Sequence, residues 1–239
     1  MSKYNRYYSP NFDPIKRNRS KIKFLIFHYT GMNSELAALD KLCNKNSKVS
    51  CHYLIKKNGD IINIVPEKYI SWHAGKSKWK NYKMLNSSSI GIEIQNPGHE
   101  NNYKSFNKNQ IKSLKKISLR LIKKYKIKKG NVLGHSDIAP ERKKDPGEKF
   151  PWKKLSKHKI GIWHSLNKKH LYKFRHRNII KKQKNNFFKL AKKIGYNINK
   201  NHTFIILAFQ RRFRPEKIDG KIDLECLEIA KNLNINKFN

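Results

Sequence analysis

Apolar residues recur along the chain with two spacings, one typical of strands and one of helices. Residues 22–29 are apolar at almost every position, which predicts a strand buried on both faces. Residues 89–95 alternate, so that three isoleucines share one face and Glu93 lies on the other. Residues 132–133 form a shorter apolar run. We interpret these three runs as strands of one sheet.

Turn and helix signals lie between these strands. Residues 51–55 and 61–65 flank an Asn-Gly pair, which predicts a hairpin. Residues 34–43 and 107–125 have apolar positions at helical spacing, and Asn107 is placed to cap the longer helix. The order of elements predicts an α/β fold with a mixed central sheet flanked by helices.

The C-terminal part has a different pattern. Residues 187–194, 203–213 and 224–233 each have helical spacing, which predicts a small all-α three-helix domain. We therefore divide the chain into an irregular lead-in (1–20), the α/β domain (21–160), a basic connector (161–186) and the helical bundle (187–239).

The charge is strongly positive and unevenly distributed. Lys and Arg total 55 against 16 Asp and Glu, a formal net charge of +39. No acidic residue lies between Glu148 and Glu216, a segment that contains 20 Lys and Arg. Such a surface attracts any polyanion. Clustered aromatic residues typical of single-strand binders are not evident, so we expect no specific nucleic-acid partner.

Cysteine usage and hydropathy exclude several other classes. The three cysteines are odd in number and form no CxxC pair, which excludes a disulfide scaffold and disfavours a cysteine-based zinc site. The longest apolar run is far shorter than the roughly 20 residues of a membrane span, so we expect no transmembrane segment. The first 20 residues are polar and basic and contain no readable secretory signal.

The candidate chemistry lies where strands end. His28 comes at the end of the first predicted strand, His135 follows the 132–133 run, and Asp145 comes ten residues later. Two histidines and one aspartate can bind zinc and leave a fourth position for water. On residue type alone this indication is weak, because 10 histidines offer many such sets. Taken singly, each histidine is better explained as a surface or core residue, and Asp145 could be a plain turn residue.

Six segments together resemble a known family. They are Phe27-His28-Tyr29-Thr30, Val49-Ser50-Cys51-His52-Tyr53-Leu54-Ile55, Trp72-His73-Ala74-Gly75, Ser89-Ile90-Gly91-Ile92-Glu93-Ile94, Gly134-His135-Ser136-Asp137-Ile138-Ala139-Pro140 and Arg142-Lys143-Lys144-Asp145-Pro146-Gly147. In this order they resemble the bacterial zinc N-acetylmuramoyl-L-alanine amidases, whose amidase type 2 fold is shared with peptidoglycan-recognition proteins. The segment from Ala208 to Pro215, followed by Asp219-Gly220 and Asp223, resembles a helical peptidoglycan-binding module. The pairing is similar to two-domain amidases of the AmiD type.

The resemblance implies a role for each matched residue. His28, His135 and Asp145 match the ligands of one zinc ion per chain. Glu93 matches the catalytic carboxylate, and Lys143 the catalytic lysine. The resemblance also implies substrate contacts for three further residues, which are His52, Trp72 and His73.

The implied substrates are peptidoglycan or muropeptides, cleaved at the amide between the lactyl group of N-acetylmuramic (or anhydro-muramic) acid and L-alanine, in wall turnover or recycling. A non-catalytic peptidoglycan-recognition protein is the alternative, although the retained ligand set and Glu93 favour the enzyme. The two-domain resemblance favours the cell envelope (the periplasm), whereas the missing signal favours the cytoplasm. We expect a monomer.

Overall fold

A computed structural model describes residues 8–199 and 201–235. Its strands are β1 (Phe12–Asp13), β2 (Phe24–Tyr29), β3 (Tyr53–Ile55), β4 (Ile61–Asn63), β5 (Ile70–Ser71), β6 (Lys78–Trp79), β7 (Tyr82–Lys83), β8 (Ser89–Ile94) and β9 (Val132–Gly134). Its α-helices are α1 (Glu35–Cys43), α2 (Lys108–Tyr125), α3 (His135–Ile138), α4 (Trp152–Ser156), α5 (Lys168–Phe174), α6 (Lys181–Ile194), α7 (His202–Phe213) and α8 (Leu224–Ile235). Short 3-10 helices cover Arg19–Lys21, Lys45–Ser47, Leu85–Ser88, His99–Asn101 and Lys129–Asn131.

Within the described residues the central sheet has five strands, in the order β4-β3-β8-β2-β9. Strand β2 pairs in parallel with β8 and with β9, and β3 pairs in parallel with β8. Only β4 runs antiparallel, as the hairpin partner of β3. The parallel strands end at one edge of the sheet, and His28 lies directly opposite Glu93 in the register of β2 and β8. The topology thus brings the candidate residues to the edge where α/β proteins bind ligands.

Alternation along β2 divides its side chains between two cores. Leu25 and Phe27 pack in a cluster with the buried stripe of α2, which begins at an Asn107–Gln110 capping box. Phe24 and Ile26 face the opposite side of the sheet. His28 has the same parity as Phe24 and Ile26, so it lies on that second face.

The C-terminal helices cover the second face of the sheet. One buried cluster contains Phe24, Ile26 and Leu133 of the sheet together with Phe187 of α6 and Phe209 of α7. Gly195 lies so close to Trp79 that an added Cβ would come within 2.3 Å of its ring. The predicted domain bounds stay a prediction. The helices nevertheless share a buried core with the sheet.

Most predicted elements are confirmed. The hairpin, the longer helix with its cap, and the three C-terminal helices all form, although α6 begins six residues before the predicted start. Asp223 caps α8 by accepting from the amide of Cys226 at 3.0 Å. Leu36 departs from the pattern of α1, because it is 62% exposed while Leu39 and Leu42 are buried. None of the described helices is both long enough and apolar enough to cross a membrane.

The shared core predicts that the sheet and the bundle unfold together. Phe209→Ala is expected to lower the free energy of unfolding by about 3–5 kcal/mol, because the ring is fully buried. Calorimetry should show one transition that moves to lower temperature as a whole. Phe204→Ala, on the same helix but 38% exposed, is the control and should cost much less. Two separate transitions, with only one displaced, would contradict this prediction.

Candidate metal centre

Three side chains converge on one point at the carboxyl edge of the sheet. Nδ1 of His28 lies 3.0 Å from Nδ1 of His135 and 3.0 Å from Oδ2 of Asp145. Nδ1 of His135 lies 3.1 Å from the same oxygen. A tetrahedral ion with bonds of about 2.0–2.1 Å would separate its ligand atoms by about 3.3 Å. The three atoms therefore have nearly the spacing of a metal coordination shell, and no other such group occurs in the described residues.

Each of the three residues is positioned by a different local element. His28 is held by the ladder of β2, and His135 is the first residue of α3, directly after β9. Asp145 lies in the loop that follows α3, and its carbonyl accepts from the amide of Ser136 at 2.8 Å. All three side chains are buried. The centre is thus built from parts of the chain that only the folded sheet brings together.

A chain of hydrogen bonds fixes the tautomer of His28. The hydroxyl of Ser89 donates to the carbonyl of Leu85 at 2.6 Å, so its oxygen must accept from Nε2–H of His73 at 3.0 Å. Nδ1 of His73 then accepts from Nε2–H of His28, also at 3.0 Å. Nδ1 of His28 is left with its lone pair directed toward Asp145, as a metal ligand requires.

His135 is oriented by a backbone carbonyl. Its Nε2 lies 3.2 Å from the oxygen of Ala74, which can only accept, so the ring donates there and Nδ1 carries the lone pair. The guanidinium of Arg142 donates to the same oxygen at 3.0 Å and to the carbonyl of Lys76. Both histidines therefore have the outer partner that metal-binding imidazoles need.

The electrostatics favour the protonation states that bind metals. Burial, together with the neighbouring His135, lowers the pKa of His28 to about 4. Burial alone would raise the pKa of Asp145, but His135 and His28 outweigh it and hold this pKa well below its usual range. A neutral imidazole at His28 and an ionised carboxylate at Asp145 are the forms in which these groups bind metals.

A cleft of about 300 Å³ opens next to the three residues. Glu93 is half-buried on its wall, and its Oε2 is enclosed without a hydrogen-bond partner among the described residues. Burial raises the pKa of Glu93 well above its usual range, and the charge of Asp145 adds to this effect. Lys143 also lines the cleft, close enough for its charge to lower the pKa of both Glu93 and His28. An unpaired, enclosed carboxylate oxygen is costly and is typical of a functional site.

The three residues predicted to contact substrate have different positions. His73 lines the cleft and holds His28. His52 does not line it: the ring is fully buried, accepts from the amide of Gly91 at 3.0 Å and contacts Arg17 at 2.8 Å. Trp72 is half-buried and donates from Nε1 to Asp13 at 2.8 Å, also outside the cleft lining. The geometry thus gives His52 and Trp72 structural contacts within the fold.

Sequence reasoning missed several cleft residues. Those it did not single out include Tyr29, Lys41, Glu100, Arg142 and Lys144. Tyr29, Arg142 and Lys144 lie in the matched segments that contain His28 and Asp145, which is a signal that could have indicated them. Lys41 comes from α1 and has no such signal.

The close approach of Gly91 to His73 predicts that a side chain at position 91 would disturb the candidate metal centre. A Cβ at Gly91 would lie 2.4 Å from Cγ of His73, so Gly91→Ala must displace that ring. We expect a loss of about 1–3 kcal/mol of stability and weaker metal binding, because His28 loses its outer partner. Chemical denaturation and metal titration measure the two effects. Gly130→Ala is the control, since a Cβ there meets nothing within 4 Å. Equal behaviour of the two variants would contradict the prediction.

The fold and the site together define a member of the N-acetylmuramoyl-L-alanine amidase family. The family model described as Amidase_2, N-acetylmuramoyl-L-alanine amidase, matches residues 18–148, and the chain belongs to this family. Its sequence is 35% identical over 232 residues to N-acetylmuramoyl-L-alanine amidase AmiD of Escherichia coli, covering 89% of this chain and 82% of AmiD. It is 32% identical over 164 residues to 1,6-anhydro-N-acetylmuramyl-L-alanine amidase AmpD of Haemophilus influenzae, covering 61% of this chain and 86% of AmpD.

Solved structures of two relatives match almost the whole chain. AmiD of E. coli, in complex with the substrate anhydro-N-acetylmuramic acid-L-Ala-D-gamma-Glu-L-Lys, matches with a TM-score of 0.79 and 33% identity, over 91% of this chain and 90% of that one. AmpDh3 of Pseudomonas aeruginosa, in complex with an anhydromuramic pentapeptide, matches with a TM-score of 0.80 and 30% identity, over 99% and 98% of the two chains. The C-terminal helices therefore belong to the shared architecture of these three proteins.

Proposed function

We propose that this protein is a zinc-dependent N-acetylmuramoyl-L-alanine amidase. It hydrolyses the amide between the lactyl group of N-acetylmuramic or anhydro-muramic acid and L-alanine. The observation that carries the proposal is the convergence of His28, His135 and Asp145 beside the unpaired carboxylate of Glu93. AmiD of E. coli, whose solved structure contains an anhydro-muramyl peptide substrate, supports the same chemistry.

The donor set fits zinc. Two imidazole nitrogens and one carboxylate oxygen are a common set of three protein ligands in catalytic zinc sites, where a fourth position is left for water. When bound, zinc lowers the pKa of its water toward about 7 and polarises the scissile carbonyl. Cys51 and Cys226 are fully buried, and none of the three cysteines lines the cleft, so they offer no competing site there.

Glu93 and Lys143 supply the remaining chemistry. Glu93 lies opposite His28 in the sheet, so its free oxygen is placed to take the proton of the attacking water and pass it to the leaving nitrogen. The ammonium of Lys143 stabilises the negative charge that develops on the carbonyl oxygen. The cleft adds Lys41, Arg142 and Lys144, which attract the carboxylates of the peptide stem.

Chelation tests this assignment. The native protein should release dye from labelled peptidoglycan, lose that activity after treatment with a chelator, and regain it with zinc. The reason is that the chain's own groups cannot lower the pKa of water as a bound cation does. No release by the zinc-loaded protein would contradict the enzyme assignment and favour a non-catalytic recognition protein. Release that a chelator does not affect would contradict the metal assignment.

The C-terminal helices are proposed to hold polymeric peptidoglycan. A groove of about 430 Å³ lies on this part of the chain, beside the stacked rings of Phe188 and His202. Binding there would concentrate the enzyme on its polymer. Sedimentation with sacculi tests this: Phe188→Ala should reduce the bound fraction, and unchanged binding would contradict the proposal.

We expect the protein to be a monomer, and light scattering would measure its mass in solution.

The compartment is proposed to be the cell envelope, on the periplasmic side, because the pairing of an α/β part with C-terminal helices resembles that of two-domain amidases that act on the wall from this side. The cytoplasm, with recycled anhydro-muropeptides as substrates, is the alternative. Fractionation of the native protein, paired with turnover of anhydro and non-anhydro muropeptides, separates the two. Recovery in the cytosol with activity on the anhydro form alone would reverse this choice.

A further inference from the structure

A buried ion pair connects the C-terminal helices to the α3 turn, which begins with His135 of the metal centre. Arg212 of α7 donates through Nη1 to Oδ2 of Asp137 in α3. Asp137 comes two residues after His135. Arg212 is 3% exposed and Asp137 is 1% exposed, so the pair is shielded from bulk solvent. The pair therefore links the C-terminal helices to the turn that carries a metal-ligand candidate.

Asp137 closes that turn. Its Oδ2 also accepts from the amide of Gly134 at 2.8 Å, which satisfies a free N–H at the start of α3. The helix has only four residues, so it has few backbone hydrogen bonds of its own. The orientation of His135, its first residue, consequently depends on where the carboxylate of Asp137 lies.

Further donors from the C-terminal part hold the same carboxylate. The hydroxyl of Tyr196 donates to Oδ1 of Asp137 at 2.7 Å, so each oxygen has a donor from this part of the chain. Nη2 of Arg212 donates to the carbonyl of Val132 in β9 at 2.9 Å. The guanidinium also lies over the ring of Trp152, 4.1 Å from its centre. Arg212 thus contacts the strand before His135 and the turn after it.

We propose that Arg212, assisted by Tyr196, is a positioning residue for the metal centre. It holds Asp137 and, through Asp137, keeps the α3 turn in the geometry that presents Nδ1 of His135. This inference rests on the proposed zinc function and extends it. The C-terminal helices then contribute to metal affinity, independently of any contact with polymer. Without the guanidinium, the buried charge of Asp137 is uncompensated, and the carboxylate must turn away or draw in water.

The chain offers a matched control. Arg214 is 1% exposed, lies two residues beyond Arg212, and pairs with Asp223 at 2.7 Å. Its other carboxylate neighbours, Asp219 and Glu225, also belong to the C-terminal part. Arg214→Met therefore breaks a buried ion pair of the same kind without touching Asp137. It separates loss of general stability from loss of the contact with the α3 turn.

The experiment measures zinc affinity on the metal-stripped full chain, by competition with a chromophoric chelator. It is done at a temperature where circular dichroism shows each variant folded. Arg212→Met is expected to raise the Kd for zinc about 10–100-fold, the range found for outer partners of metal ligands, and Arg214→Met to leave it unchanged. An unchanged Kd for folded Arg212→Met would overturn the inference. An equal rise in Arg214→Met would overturn it too.

A milder variant keeps the test decisive if Arg212→Met does not fold. Tyr196→Phe removes only the hydroxyl donor to Oδ1 of Asp137 and keeps the buried ring. It should also raise the Kd for zinc, by a smaller factor than Arg212→Met does. Unchanged affinity would overturn the inference. The proposed function is tested separately, by zinc binding and hydrolysis in the unaltered chain. If the unaltered chain hydrolyses substrate and these variants bind zinc with unchanged affinity, only the positioning role is refuted.

Discussion

Glu93→Gln is expected to lower kcat by about 10²–10⁴-fold, the usual contribution of a general acid–base group, while zinc binding is retained. The side chain is not among the three converging ligand atoms, so its loss leaves the coordination set intact. Its Oε2 is enclosed and unpaired, which leaves it free to exchange a proton with substrate. Glutamine keeps the size of the side chain and removes that capacity. Turnover of a soluble muropeptide and zinc content are the two measurements.

The control for Glu93 is a carboxylate outside the cleft. Glu228 is also half-buried, on α8, and pairs with Lys231 at 2.6 Å. Glu228→Gln should therefore keep both activity and zinc. An active Glu93→Gln protein would show that another group moves the proton. Loss of zinc from that variant would place Glu93 among the metal-binding groups.

Asp145→Ala is expected to abolish zinc binding, with a loss of affinity beyond the 10–100-fold typical of outer partners. The carboxylate is the one anionic group of the set, and its Oδ2 lies within 3.1 Å of both imidazoles. His28→Ala should have a comparable effect, because it removes the ligand that the Ser89–His73 chain orients. Both variants should be inactive on soluble muropeptides as well as on polymer.

A second carboxylate in the same loop provides the comparison for Asp145. Glu148 pairs with His99 at 3.0 Å and does not line the cleft. Glu148→Gln should retain zinc as measured by chelator competition. Zinc retained by Asp145→Ala at the unaltered affinity would refute the assignment of this ligand.

The strands, and the positions of His28 and Glu93 on them, were predictable because local pattern determines them, whereas the roles of these residues came from the resemblance. An alternating run such as residues 89–95 assigns Glu93 to the face opposite the isoleucines without any tertiary information. The ends of parallel strands meet at one edge, so His28 and His135 could be expected near each other. The convergence of the Asp145 oxygen with them depends on a loop, and there the resemblance to the family supplied what spacing alone could not.

Contacts between distant segments were not predictable. His52 belongs to one of the matched segments, yet its ring is held by Gly91 and by Arg17, 39 and 35 residues away. The link from Ser89 through His73 to His28 requires the tautomer of each ring, which no sequence pattern encodes. Arg212 and Asp137 are 75 residues apart, and although both lie in matched segments, nothing in the sequence pairs the two.

The shared core of the sheet and the C-terminal helices has a consequence for how a long glycan strand would be cut. A module on a flexible tether lets the enzyme sample many peptide stems around one anchoring point. Here the helices are packed on the sheet itself, with Gly195 against Trp79 and Phe209 among the side chains of β2. A strand gripped by the helices would therefore meet the metal centre at one fixed offset. The protein would therefore cleave stems at a set distance along the glycan strand from the point where the helices bind it.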